Sequence, residues 1–353
     1  MKPGGSVTHR RLLFQVVPVA TMAGAAALVG LMLAIYFGSG HLKNFDVNLI
    51  GYATATAFLA FGATYRLVMW AANPPSRRYL LKGWQACLRP RTLAGNPMLV
   101  PRTLTSNLLL QSFIRRRGLG RWLAHQAMFW GVLLAAAMTF PLTFGWVHFR
   151  AAAGTANGYT MYVLDQKALG FDALSWVGWI MFHTLDVAAV LVIAGSAYFL
   201  LRRISDREVM ATQRPLRDLL PLLALLAISV TGLALTLSAA LLHGRYYHAL
   251  AVIHMASVVL TLLFIPFGKF FHVLHRTASG GVGVYKATSL AERGTFSCRV
   301  CNGPVEAVAF VEDLEKTMGE LRLRYPTWVE TCPQCKRVER GIAYRTHLKA
   351  GFQ

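Results

Sequence analysis

Six long apolar runs, each cut off by a polar or basic stretch, set the pattern of this chain. They fall at about Leu12–Phe37, Leu49–Trp70, Trp122–Val147, Leu174–Leu201, Leu219–Leu242 and Ala251–Arg276. A helix needs roughly 20 apolar residues to cross a bilayer, so the pattern predicts about six transmembrane helices. The first run is too long for a signal-peptide core and lacks a small-residue cleavage site, and it reads as an uncleaved span. From about Thr277 the apolar runs stop. Gly280, Gly281 and Gly283 read as a flexible joint, and a charged tail follows. In the tail, FSCRVCNGPVEAVAF reads as a knuckle and strand, EDLEKTMGELRLRY has helical charge spacing, and WVETCPQCKRVERGIAYRT reads as a second knuckle with strands. The expected fold is an all-α membrane helical bundle with a small α+β domain behind it.

Composition agrees. Charged residues make up 14% of the chain, where a soluble domain carries about a quarter. The net charge of +21 raises the question of nucleic acid, and its distribution answers against it. The loop from Ala71 to Gly120 has no acidic residue and carries Arg77, Arg78, Lys82, Arg89, Arg91, Arg102, Arg115, Arg116 and Arg117. Basic loops between spans mark the cytoplasmic side. With six spans every strongly basic loop falls on that side, together with both termini, as in a multi-pass protein of a bacterial cytoplasmic membrane. The charge then serves topology and contact with anionic lipid or an acidic partner. Inside the basic loop, YLLKGWQACL reads as an interfacial helix on the headgroups or as a loop packed against the bundle. The chain lacks the paired broken helices of a transporter, any phosphate-binding loop, dinucleotide fingerprint or Ser-His-Asp pattern.

Histidines carry the candidate chemistry of the bundle. In AVIHMASVVLTLLFIPFGKFFHVLHR, His254 and His272 are 18 residues apart. On a continuous helix that is five whole turns, one shared face and roughly 27 Å of axial separation. Ionisable groups inside a membrane are costly and usually functional, and haem iron is the natural client of neutral imidazole in an apolar bundle. Depth pairs His125, near the inner end of span three, with His272. His183 lies 18 residues from the inner end of span four, which pairs it with His254. His148 is the rival of His183, and His275 the rival of His272. Any of these can also be a plain interfacial histidine bonded to a neighbouring helix.

Four of the five cysteines form two C-x-x-C pairs, Cys298/Cys301 and Cys332/Cys335. A four-thiolate set of this spacing points to a tetrahedral metal, with zinc ahead of rubredoxin-like iron. A closed four-cysteine zinc is structural, and it would fold a small zinc-ribbon-like domain with too little core of its own.

The H-x(17)-H spacing with F-I-P-F-G-K-F-F-H at its end resembles the last span of the nitrate reductase gamma subunit family. That family of membrane cytochromes b includes relatives in heterodisulfide-reductase-like complexes. The preceding R-D-L-L-P-L-L-A-L-L-A-I-S-V-T-G-L is similar to their penultimate span. The likeness covers residues 47–276, leaving residues 1–46 as an extra span and 277–353 as the four-cysteine domain. It implies a subunit passing electrons between the quinone/quinol pool and a cytoplasmic iron-sulfur or other redox subunit, through one or two b-type haems. The family carries a second histidine ten residues after the one matching His125, and here that position is Ala135. Either His183 replaces it, or one haem is bound. A quinol site is expected near the outer haem, with His148, Lys167, Asp172 and Asp186 as its polar candidates. The contrasting expectation is a non-redox membrane anchor that recruits a partner through a zinc ribbon.

Overall fold

A computed structural model describes residues 5–212, 214–323 and 326–348 of the chain. Lys2, and Arg324 and Tyr325 of the expected tail helix, lie outside these residues. Six helices are long and apolar enough to cross a membrane: Phe14–Gly38, Val47–Ala71, Leu119–Thr143, Trp176–Ser205, Leu220–Leu241 and Tyr247–Phe264. They are numbered here as spans one to six. The chain forms two compact units, one of Met1–Val68 with Ser112–Val273, the other of Met69–Gln111 with Leu274–Gln353.

In the first unit, spans three to six pack in chain order, each on the next. Small residues let spans three and four approach closely. A β-carbon on Gly195 would sit 2.5 Å from the Ala124 carbonyl oxygen, and one on Gly131 would sit 2.8 Å from that of Ala188. Such contacts are a usual means of association where no hydrophobic difference between helix and lipid exists.

Span six departs from the expected continuous helix. It ends at Phe264, and a 3-10 turn Lys269–Phe271 precedes a new short helix, His272–Ala278. Pro266 has no amide to give the ladder, and its ring crowds the carbonyl one turn back. The Phe264 carbonyl instead accepts the amides of Phe267 (3.0 Å) and Gly268 (2.9 Å). Arg66 of span two donates to the freed Pro266 carbonyl and lies 4.4 Å above the Phe271 ring. The 18-residue spacing therefore no longer sets a shared face or a 27 Å rise for His254 and His272.

Between spans three and four the chain folds into an antiparallel sheet, β1 (Val147–Ala151), β2 (Gly158–Val163) and β3 (Gln166–Asp172), in that order. His148 faces Tyr162 across the first pair. The β2–β3 turn is two residues long, with Leu164 and Asp165 both at positive φ (49° and 66°). That geometry matches the right-handed twist of the strands it joins.

The second unit corrects the reading of the basic loop and of the tail. YLLKGWQACL lies in a helix, Pro74–Leu88, whose Gly83, Ala86 and Cys87 are buried. Two prolines at its start suit the first turn, where amides lack partners anyway. Ala86 and Cys87 form a core with Val284 of the helix Val282–Arg293. The glycines expected as a joint instead allow close packing. A β-carbon on Gly83 would lie 2.7 Å from the Gly281 carbonyl carbon, and one on Gly283 would meet Asn107 at 2.7 Å. The cysteine tail thus shares its unit with residues 69–111.

A buried charge network ties this unit together. Asp313, on the helix Val308–Glu320, is 2% exposed. It accepts Lys82 Nζ (2.5 Å) and the Tyr285 hydroxyl (2.6 Å). Arg78 donates to the Asp313 carbonyl (3.0 Å) and to Thr317 (2.7 Å). Burial, reinforced by the bond to Asp313, pushes the Tyr285 phenol up, so it remains a donor at every working pH. Asp313 is buried but the Lys82 side chain is 40% exposed, so removing the carboxylate lets the ammonium reach water and forfeits the charged hydrogen bonds, about 1.5–3 kcal/mol. Asp313→Ala is therefore expected to open the second unit to proteolysis at several-fold lower urea, while Glu315→Ala, at a position with no ion pair among the described residues, leaves the profile unchanged.

Candidate functional site

The four tail cysteines converge. Their sulfurs all lie within 4.8 Å of one another, and Cys301 and Cys332 are 3.7 Å apart. The first pair sits in the tight turn between β4 (Thr295–Ser297) and β5 (Pro304–Ala307), an antiparallel hairpin. That turn closes through Cys298 N donating to Gly303 O (2.7 Å) and Asn302 N donating to Cys298 O (2.8 Å), with Asn302 at φ 53°. The second pair stands at the beginning of a helix, Pro333–Leu348, where a second knuckle with strands was expected. Helical charge spacing in KRVERGIAYR accounts for the difference.

Amides aim at these sulfurs. Cys332 N (3.2 Å) and Val300 N (3.5 Å) donate to Cys298 Sγ, and Cys335 N donates to Cys332 Sγ (3.5 Å). Amide hydrogen bonds, that from Cys332 foremost, hold the Cys298 thiol down at about 6. The neighbouring thiols, Cys332 first, push Cys335 up to about 12, as expected when four sulfurs share a site and no cation offsets their charge. Thiolates at this separation suit a tetrahedral metal such as zinc. Cys87 is not part of the set, being buried in the Pro74–Leu88 helix, where desolvation raises its thiol.

Among the histidines, three show one arrangement. His183 Nδ1 lies 2.9 Å from Asp186 Oδ2, and Thr236 of span five donates to the other carboxylate oxygen (2.7 Å). His254 Nδ1 lies 3.0 Å from Thr231 Oγ1. The Thr231 hydroxyl gives its own proton to Ala227 O (2.6 Å), so it accepts from His254, with the Ile228 carbonyl alongside as a second acceptor. His272 Nδ1 lies 2.7 Å from Lys269 O, a group that can only accept. Each of these acceptors puts the imidazole proton on Nδ1 and leaves a lone pair on Nε2, the arrangement in which a second acceptor orients a metal-ligating histidine. Residues 183 and 254 each lie seven residues from the start of their helix, but their contacts on span five are offset. The carboxylate that holds His183 bonds Thr236, whereas His254 bonds Thr231, five residues or about 7.5 Å along the same helix.

His125 packs edge-on against Phe199, centroids 6.4 Å apart. It is six residues into span three, whereas His272 stands beyond the break in span six and is exposed. His183 and His254 hold different partners, Asp186 and Thr231. Of the rivals, His275 stacks on Trp70 (4.2 Å). His148 stacks on Tyr162 (5.2 Å, 3° between planes), with both ring nitrogens buried and without hydrogen bonds. Asp172 accepts the Leu174 amide (2.7 Å) and so closes a turn, and Lys167 is an exposed strand residue. Thr231 and Thr236 were not singled out from the sequence. Their only signal there is a hydroxyl inside an apolar span, which more often bonds its own helix, as Thr231 also does.

The chain matches no family model, no curated protein and no solved structure. The resemblance drawn from spans five and six stands on those residues alone.

Proposed function

We propose that this chain is a membrane cytochrome b subunit that passes electrons between the quinone/quinol pool and an oxidoreductase partner at the cytoplasmic face. One observation carries the reading: His183, His254 and His272 each hold Nδ1–H on a fixed acceptor and keep Nε2 as a lone pair. When bound, a b-type haem with two imidazole ligands supplies one-electron transfer and offers substrates no open coordination position. His183 and His254 are assigned to one haem and His125 and His272 to the other. Asp186 orients His183, Thr231 orients His254, and the Lys269 carbonyl orients His272. The positive-inside pattern assigns the Arg115–Arg117 end of the spans to the cytoplasm of a bacterium, and with it the four-cysteine unit. There zinc is structural, and rubredoxin-like iron would make the unit a relay instead.

The test is a dithionite-reduced minus oxidised spectrum of the purified chain with haem quantified per polypeptide. Two b-type haems support both pairs; one sinks the assignment of one pair. Asp186→Asn adds a second reading of the same site. Loss of the carboxylate reduces the imidazolate character of His183, so the reduction potential of its haem rises while the haem content is unchanged. Haem loss in that variant would make Asp186 structural.

The break at Pro266 favours a second reading, because it removes the helical count that related His272 to His254. In that reading the chain is a membrane anchor that recruits a partner through its four-cysteine unit. A colourless, metal-containing preparation would select it.

A further inference from the structure

At the end of the first unit where Pro266 breaks span six, cations from four separate segments lie close together, two of them at the Asp218 carboxylate. Lys269 pairs with Asp218, whose side chain is only 11% exposed. Arg203, in the last turn of span four, lies within electrostatic reach of the same carboxylate, and its Nε is buried with no hydrogen-bond partner. Arg66 spends a donor on the Pro266 carbonyl and has no carboxylate partner among the described ion pairs. Arg217 lies within electrostatic reach of Arg66. Among the described side chains the balance is four cations, Arg66, Arg203, Arg217 and Lys269, against Asp218.

Like charges held close repel, and a buried guanidinium nitrogen without an acceptor is destabilising. Exposed basic residues such as Arg116 and Arg117 escape that cost by facing water; Arg203 does not. The arrangement is what an oxyanion would relieve, since phosphate and carboxylate oxygens accept from several guanidinium donors at once. Arg66 stands five residues before the end of span two, Arg203 in the last turn of span four, and Lys269 follows span six, so the site lies towards headgroup level.

We propose that Arg66, Arg203, Arg217 and Lys269 form a binding site for the phosphate of an anionic phospholipid headgroup, seated against the Pro266 break. The occupant stabilises the first unit by binding its folded form alone.

The full chain, purified in neutral detergent, is titrated with phosphatidylglycerol or with phosphatidylcholine while its thermal midpoint is followed by tryptophan fluorescence. Phosphatidylglycerol is expected to raise the midpoint by about 5 °C and phosphatidylcholine to leave it in place. Arg203→Gln should lose at least half of that rise, and so should Arg217→Gln, an exposed position whose variant keeps the fold if the first does not. Arg117→Gln, with the same change in charge, should keep the whole rise. An equal response to both lipids overturns the proposal, as does a full response in the Arg203 and Arg217 variants. The other source of such an oxyanion is a haem propionate. If the response is present in haem-free protein and vanishes on haem loading, the cluster serves the propionates and the lipid assignment fails.

Discussion

Cys298→Ser is expected to strip the second unit of its metal and to unfold it, while the six spans stay folded. Cys298 is fully buried and accepts amides from both halves of the site, Val300 in the hairpin turn and Cys332 at the start of the last helix. Its loss removes one of four ligands and the anchor of the two backbone segments that carry the others. Structural zinc supplies about 10–16 kcal/mol of apparent binding energy to small domains of this kind, well above the stability of a typical domain. The unit does have apolar packing, Ala86, Cys87 and Val284 with Leu99 and Val100 against them, but it is a small core. Metal analysis should fall from about one ion per chain to near zero. Trypsin should then cut within Val282–Arg293 and Val308–Glu320 at a rate at least tenfold higher. Unchanged metal content would sink the four-thiolate site; metal loss with an unchanged digest would leave the site intact but make its metal dispensable for folding.

The second large effect belongs to His254. Under the cytochrome reading, His254→Ala halves the haem content, because it removes the ligand that Thr231 orients while leaving His125 and His272 in place. His243→Ala, an exposed turn residue, should leave two haems per chain. The control separates ligand loss from general damage, since both variants delete an imidazole near the same end of span six. Equal haem in His254→Ala and wild type would remove His254 from the ligand set and with it the pairing with His183.

Much of the architecture was legible because it is decided residue by residue. Transfer of an apolar side chain into hydrocarbon is local, so a sliding count of such residues found the first five spans within about five residues of their ends. The sixth was placed too long at its far end. Pro266 and Gly268 stand in the sequence, but prolines inside transmembrane helices are tolerated when other groups satisfy the freed carbonyl. Here Arg66, two hundred positions earlier, takes that carbonyl outside the helix. The sheet between spans three and four was missed for a different reason. Leu164-Asp165 is not a turn dipeptide that announces itself, and the positive φ at both residues is held by surroundings, including Leu164 N donating to Trp146 O (2.7 Å) and Asn44 reaching Asp165 (3.2 Å).

By itself the sequence determined six spans, the convergence of two C-x-x-C pairs and the identity of the histidines worth testing. These follow from hydrophobic transfer, ligand chemistry and short spacings, all of which act within a few turns of chain. Tertiary structure alone decided three things. It joined residues 69–111 to the cysteine tail through Gly83 and Gly281, whose close approach no local pattern records. It cut span six short of His272. It also set the imidazole proton of His254 on Nδ1 through Thr231, and engaged the second oxygen of Asp186 through Thr236, both on a neighbouring helix. A hydrogen bond between helices depends on packing depth and rotation, and those belong to the assembled bundle.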